Sequence, residues 1–236
     1  MISVCMITFQ GEKFLREQLE SILSQLAATD EVIIADDGST DATISLIQNF
    51  SDARIHLIQC ESHLGPIYNL ERALLQAKGD LIFLADQDDV WLPQKVSVCK
   101  QELQDSILVL HNAYFYTQEK NGNWKCGTTI FEKRKPVHGI FKNWLRNSFT
   151  GCCIAFRREL LLRALPFPKS LPMHDQWLGL IAEKSKKVRF VNEPLLCYRR
   201  HAETATDLLN HKKANFFNRL RWRWNLLRIF LQRFSN

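Results

Sequence analysis

The chain has 236 residues, enough for one sizeable domain or one domain with an appendage. An apolar content of 46% with only 9 Gly and 7 Pro excludes a disordered chain, and no run of about 18 apolar residues is present to cross a membrane. The net charge of +6 is concentrated after Asp207, where seven Lys and Arg stand without one acidic residue, so the basicity bears on partners of the tail and not on the core.

In chain order, MISVCMITF lacks a basic leader and a small-residue cleavage site, and its β-branched run predicts a first strand and not a signal peptide. EQLESILSQLA repeats apolar residues at helical spacing. EVIIAD predicts a second strand, followed by the turn-forming DGSTD and the helical ATISLIQNF. RIHLIQ is a third strand, ESHLGPI a loop, and YNLERALLQAKG a helix closed by Gly79. DLIFLAD is a fourth strand, and PQKVSVCKQEL a helix with Pro93 at its start. This alternation predicts a mostly parallel sheet with helices on both faces, whose ligands bind beyond the carboxyl ends of the strands. Both acidic clusters, Asp36-Asp37 and Asp86-Asp88-Asp89, fall at such ends.

The second half is less regular. SILVLHNAYFY predicts a strand, Asn121-Gly122 a turn, HGIFKNWLRNS a helix, GCCIAF a short strand and RRELLLRALPF a helix stopped by prolines. PMHD leads into the helical QWLGLIAEKS, and KVRFVNEPLLCYRRH follows. Seven scattered cysteines without a CxxC pair fit neither a disulfide framework nor a zinc site, so reduced thiols and a cytoplasmic protein are expected.

Three carboxylates within four positions repel one another unless a cation neutralises them. An Asp-x-Asp after a strand is the pattern by which Mg²⁺ or Mn²⁺ is held together with substrate phosphates. The plain alternative is a helix cap, for which a single Asp would suffice. Asp36-Asp37-Gly38-Ser39 taken alone reads as an Asx-type turn.

The ordered set SVCMITFQGEKFLREQLESILSQ, ADDGSTD, LADQDDVWLPQKV, MHDQWLGLIAE and LLCYRRH resembles the inverting family 2 glycosyltransferases, over about residues 1 to 205. Within that family the chain is most similar to bacterial enzymes of cell-surface polysaccharide synthesis, rhamnosyltransferases among them. The resemblance implies an A-type glycosyltransferase fold: an α/β architecture whose mostly parallel central sheet and flanking helices form a Rossmann-like nucleotide-binding half. It also implies a nucleotide-sugar donor carrying UDP or dTDP, a saccharide or lipid-linked acceptor, and Mn²⁺ or Mg²⁺. Residues 1–207 are then the catalytic domain, with 1–105 the nucleotide-binding half and 106–207 the acceptor half, and 208–236 a basic amphipathic tail.

By the same resemblance, Thr8, Phe9 and Glu12 line the nucleotide pocket and Asp36 and Asp37 contact base and ribose. Asp86 and Asp88 match the metal-binding Asp-x-Asp, with Asp88 the direct ligand and Asp89 a brace. Trp91 is an aromatic neighbour whose plain role is packing. Asp175 in MHDQW matches the base that takes the acceptor proton, with His174 a departure from the usual acidic residue before it. Asp175 also reads as a helix cap. In YRRH, His201 is a candidate metal ligand, while Arg199 and Arg200 read either as phosphate partners or as a solvated basic turn. Pocket walls are expected from Asn147 to Gly151 and from Met173.

In the tail, Phe217, Leu220, Trp224, Leu227, Leu231 and Phe234 fall within an arc of about 100° on a helix. With its arginines, such a helix suits the inner face of an anionic membrane through residues 211–236, or packing on its own domain or on a second copy in a homo-oligomer. No other feature supports nucleic acid as a partner. Two rival readings are weaker: a sugar nucleotidyltransferase, as another enzyme, needs a glycine-rich basic first loop where this chain has TFQGEKF, and a non-enzymatic phospho-receiver has no use for Asp86, Asp88 and Asp175 together. A catalytically inactive partner subunit on the same fold is the remaining alternative.

Overall fold

The computed structural model describes residues 1–119, 121–201 and 216–234. The first half alternates as the periodicity predicts. Strands β1 (Ile2–Thr8), β2 (Glu31–Asp36), β3 (Ile55–Gln59) and β4 (Leu81–Asp86) are separated by α1 (Leu15–Leu23), α2 (Thr43–Asn49) and α3 (Pro66–Gln76). All six residues of β2 are buried, which explains why EVIIAD has no polar alternation: a parallel strand covered on both faces has no wet side. Each fully buried Ile or Val contributes about 1.5–3 kcal/mol over its exposed state.

The short β5 (Val90–Trp91) precedes α4 (Lys95–Glu102). The long β6 (Leu108–Gln118) forms a hairpin with β7 (Trp124–Thr129), and Gly122 takes the positive φ of 87° that lies in its turn. Then follow α5 (Ile130–Arg134), α6 (Ile140–Leu145), a 3₁₀ turn at Gly151–Cys153, β8 (Ile154–Arg157), a second 3₁₀ turn, α7 (Leu161–Ala164), α8 (His174–Lys184), β9 (Val188–Arg200) and α9 (Phe216–Phe234).

Among the described residues the strands form one nine-stranded sheet, ordered β3-β2-β1-β4-β8-β6-β9-β5, with β7 on β6. The pairs β3–β2, β2–β1, β1–β4 and β6–β9 are parallel. Strand β8 runs antiparallel to both β4 and β6, so β6 and β9 point the same way as β1 to β4. Thr8 is in register with Asp36 and Ile7 with Asp86, which sets the acidic residues side by side along the carboxyl edge of the sheet.

At four places the structure departs from, or adds to, what the sequence predicts. Gly79 does not close α3, which ends at Gln76 on an extended Ala77. Its function is close approach: an added Cβ would stand 2.6 Å from the Ser3 nitrogen, and the Gly79 N–H donates to Ser3 Oγ at 2.7 Å. Pro93 lies before the Gln94 cap and outside α4. Helix α5, invisible to periodicity because it has five residues, is fixed by a capping box between Thr129 and Glu132.

The fourth concerns the tail. The expected boundary near residue 207 lies outside the described residues, and Phe217 and Leu220 outside the described side chains. Helix α9 packs on its own domain mainly through residues off the predicted arc, although Phe234 of the arc also packs against the core. Leu226 and Ile229 are 1% and 7% exposed and face inward, whereas Trp224 of the predicted stripe is 69% exposed. Trp144 Nε1 donates to the Arg223 carbonyl at 2.8 Å, Asn225 Nδ2 to the Ser170 carbonyl at 2.8 Å, and Arg233 to the Leu165 carbonyl at 2.9 Å. No described helix is long and apolar enough to cross a membrane.

Candidate active site

The carboxyl ends of β1, β2 and β4 and the end of β9 carry the predicted residues into one neighbourhood. The first two loops are closed by their own hydrogen bonds. Asp36 is buried and fully occupied: Oδ2 accepts from Thr8 Oγ1 (2.7 Å) and Ser39 Oγ (2.6 Å), and Oδ1 from the N–H groups of Gly38 (3.1 Å) and Ser39 (2.7 Å). Asp37 accepts from the N–H groups of Leu64 (2.7 Å) and Gly65 (2.9 Å) and pairs with His63 at 2.9 Å. Both carboxylates thus organise loops, which favours the turn reading over free contacts with base and ribose. Glu12 is similarly engaged, its Oε2 accepting the Ala42 N–H at the start of α2 (2.8 Å).

Phe9 does present its ring. It is exposed and lies 4.6 Å from the His63 ring, an aromatic shelf at the mouth of the first loop. Its backbone is clamped by Gln87, whose Oε1 accepts the Phe9 N–H (2.8 Å) while Nε2 donates to the Phe9 carbonyl (3.0 Å). Gln87 therefore ties the first loop to the acidic loop. Sequence reasoning passed over it, although it is the residue between Asp86 and Asp88. Gly11 belongs to the same clamp, since a Cβ there would overlap the Gln87 amide.

The three clustered carboxylates have different surroundings. Asp88 Oδ2 and His201 Nε2 stand 2.7 Å apart, joining residues 113 positions apart in sequence. Asp89 is fully buried; its Oδ1 accepts the Arg199 N–H at 3.0 Å, and its Oδ2 has no hydrogen-bond partner among the described residues. Burial, then the charges of Asp88 and Asp86, push its carboxyl well above the usual range. Burial and the Asp88 charge likewise push Asp86 up to about 7.

Beneath the loop lies a lysine that the sequence did not single out. Lys95 is completely buried, donates to the Cys152 carbonyl at 2.7 Å and sits 4.0 Å over the Trp91 ring. Burial lowers its pKa, and the neighbouring thiols of Cys153, Cys152 and Cys99, then Asp89, partly restore it. Trp91, buried and 5.7 Å from the Phe83 ring, has the packing role. Ligand atoms of Asp86, Asp89 and Cys152 lie within 4.8 Å of one another.

Arg199 requires correction as a phosphate partner. Its side chain is 1% exposed, with Nε donating to the Asp88 carbonyl at 2.7 Å and Nη2 paired with Glu17. Its guanidinium lies 4.6 Å from the Phe14 ring and 4.3 Å from that of Trp124. That position makes it a brace under the acidic loop, desolvated and stacked, and not a group presented to a ligand. Arg200, half-buried, lies 6.0 Å over the Tyr198 ring.

Asp175 is the second residue of α8 and not its cap, which is Met173. It is buried, accepts the Gln176 N–H at 2.6 Å and the Asn147 amide at 3.2 Å, and burial raises its pKa. Its charge also acts on Asp86, so the predicted base and the acidic loop share one electrostatic field. Burial lowers the His174 pKa, and the ring rests against Gly151, where a Cβ would stand 3.0 Å from Nε2. Of the expected pocket walls, Asn147 touches Asp175 and Phe149 is core.

The hard carboxylate oxygen of Asp88 suits Mn²⁺ or Mg²⁺, and the imidazole nitrogen of His201 beside it is accepted more readily by Mn²⁺ than by Mg²⁺. The crowded, partly unsatisfied acids beside them are what such a charge would relieve. Cys152 is a soft donor and fits those ions less well.

The family model described as Glycosyl transferase family 2 matches residues 3–164. A UDP-Glc:alpha-D-GlcNAc-diphosphoundecaprenol beta-1,3-glucosyltransferase of Escherichia coli is 25% identical over 98% of this chain and 87% of its own. The crystal structure of S. aureus TarS 1-349 in complex with UDP-GlcNAc superposes with a TM-score of 0.72 at 19% identity, over 96% of this chain and 66% of that one, so the chain spans just under two thirds of it. Glucosyl-3-phosphoglycerate synthase from Mycobacterium tuberculosis, in complex with Mn²⁺, UDP and glucosyl-3-phosphoglycerate, gives 0.61 at 19% identity, over 99% and 79%. These likenesses establish the A-type glycosyltransferase fold.

Proposed function

The chain belongs to glycosyl transferase family 2 and is a glycosyltransferase, and from this premise we propose that it transfers a sugar from a UDP- or dTDP-sugar to a saccharide or lipid-linked acceptor, with inversion and with help from a divalent metal. The observation that carries this reading is the Asp88–His201 contact, which completes an oxygen-and-nitrogen donor pair within the same field as Asp175. The Escherichia coli relative supports a lipid-linked acceptor and a UDP donor, and the mycobacterial synthase supports Mn²⁺.

Each residue then has a task. Phe9 and His63 offer a stacking surface to the nucleobase, positioned by Gln87 and Asp37. Asp88 and His201 would hold the ion, with Asp86 beside them. When bound, a divalent cation stabilises charge developing on the departing diphosphate. Arg199 holds the loop in place from below. Asp175, kept in position by Asn147 and the Gln176 N–H, takes the proton from the acceptor hydroxyl as it attacks the anomeric carbon from the face opposite the leaving group. A carboxylate with a raised pKa is a stronger base than a solvated one, and its burial excludes competing water.

Thermal unfolding with UDP, dTDP or GDP, each with and without Mn²⁺, tests this. A ligand at about 100 times its Kd adds about 2.7 kcal/mol of stability. Stabilisation by UDP or dTDP that requires the metal is the expected result, followed by hydrolysis of the matching sugar nucleotide. Absence of metal-dependent stabilisation would favour an inactive partner subunit.

A further inference from the structure

Helix α9 has two working faces and its own domain uses one. The inner face is seated by Leu226 and Ile229 and by the hydrogen bonds from Trp144, Asn225 and Arg233. The outer face carries Trp224, seven positions from Leu231, beside Arg221 and Arg228, also seven apart; at about 100° per residue each pair forms a short ridge along the helix. Arg221 and Arg228 are exposed. Phe141 of α6, 67% exposed, extends the apolar surface: its ring is 5.7 Å from that of Trp144, which is itself bonded to α9.

We propose that this outer face of α9, with Phe141 beside it, docks on an anionic lipid bilayer. Tryptophan and arginine side by side on one helix face match the boundary between acyl chains and charged headgroups. Charge selects the occupant. Residues 208–236 contain seven Lys and Arg and no acid, so two copies brought face to face would repel, whereas anionic headgroups neutralise the face.

The face is also joined to the chemistry. Arg223 of α9 donates to the Leu145 carbonyl, and two residues further on Asn147 donates to Asp175. Docking would hold the Asp175 side of the site at the lipid surface, where an acceptor anchored in the bilayer presents its sugar. This last consequence rests on the proposed function; the docking itself does not.

The test is co-sedimentation of the full chain with phosphatidylcholine vesicles, with and without about 30% phosphatidylglycerol. The variant Trp224→Ser/Arg221→Gln/Arg228→Gln removes the face, and Leu75→Ser removes an exposed apolar side chain of α3 as a control. The expected result is binding to the anionic vesicles that falls at least about tenfold in the triple variant and is unchanged in Leu75→Ser. Melting temperature and metal-dependent stabilisation by UDP, read in the same samples, stay the same in all three proteins. Wild-type protein that ignores anionic vesicles, or a triple variant that binds as well as wild type, overturns the proposal. A wild-type dimer in light scattering that the triple variant loses, without vesicle binding, assigns the face to a second copy instead. Because UDP binding is followed independently, failure of docking is distinct from failure of the glycosyltransferase reading.

Discussion

Asp175→Asn is the sharpest test of the site, since it removes a base while preserving its shape. The Asn side chain can still accept the Gln176 N–H with its oxygen, as Asp175 Oδ1 does at 2.6 Å. Its amide nitrogen then faces the Asn147 amide, which now donates to Oδ2 at 3.2 Å. Asn147 cannot simply turn over, because its own oxygen accepts the Phe149 N–H at 2.9 Å. One hydrogen bond is therefore lost, worth about 1 kcal/mol, or up to about 3 if a donor is left buried without a partner. Against this, the variant no longer buries a carboxylate whose pKa burial has raised, so the net change in stability is within about 1–2 kcal/mol. The kinetic effect is far larger. Loss of a general base lowers kcat by about 10²–10⁴, or about 3–5 kcal/mol of barrier, whereas nucleotide affinity depends on residues the substitution leaves alone. Initial rates of transfer, compared with UDP binding by calorimetry in Mn²⁺, separate the two. A kcat reduced less than about tenfold, or a UDP affinity that falls together with kcat, would refute the assignment.

Three further outcomes follow from the same geometry. Protonated Asp175 cannot act as a base, so transfer should rise with pH through a pKa above the ordinary carboxylate value; Asn147→Ala removes a bond that lowers this pKa and should move the acid limb of the kcat profile to higher pH. His201→Ala should weaken UDP binding in Mn²⁺ by about tenfold or more and leave metal-free binding unchanged, which a titration in EDTA and in Mn²⁺ will show. Gly179→Ala should cost about 1–3 kcal/mol in urea unfolding, because a Cβ at that turn of α8 overlaps the ring of buried Phe149.

The first half of the chain was legible because its signals are local. Continuous apolar runs such as EVIIAD and LIFLAD can be satisfied in a parallel, doubly covered sheet, and the residues that end them mark its carboxyl edge. What escaped was non-local. Strand β5 has two residues and exists only because Val90 and Trp91 pair with Cys197 and Leu196. Arg199 was read as basic and exposed because its stacking partners, Phe14 and Trp124, are far away in sequence. Lys95 gave no signal at all, since a lysine in the first turn of a helix is ordinarily solvated. In α9 the predicted arc missed the residues the domain buries most deeply: Leu226 and Ile229, diluted by arginines, face the core, while Trp224 and Leu231 of the arc are exposed and Phe234 packs inward.

The density of acid in LADQDD becomes intelligible once each carboxylate is followed to its partner. Asp89 is directed inward, to the Arg199 N–H and the field of Lys95, and acts on the loop's shape. Asp88 is directed across the site to His201. Asp86 has neither: its carboxylate lies against the Cys152 thiol, and burial first, then the repulsive charges of Asp88 and Asp175, push its pKa up to about 7. A folded chain tolerates that arrangement at a cost, since every proton taken up by Asp86 relieves repulsion that a helix cap would never have created. On the proposed function, the same repulsion would make the site select ligands that bring positive charge together with phosphate oxygens: a cation alone would be drawn in by Asp86 and Asp88, and a diphosphate alone driven out by them. Binding of the nucleotide should therefore depend on the metal more steeply than the few contacts to its phosphates would require.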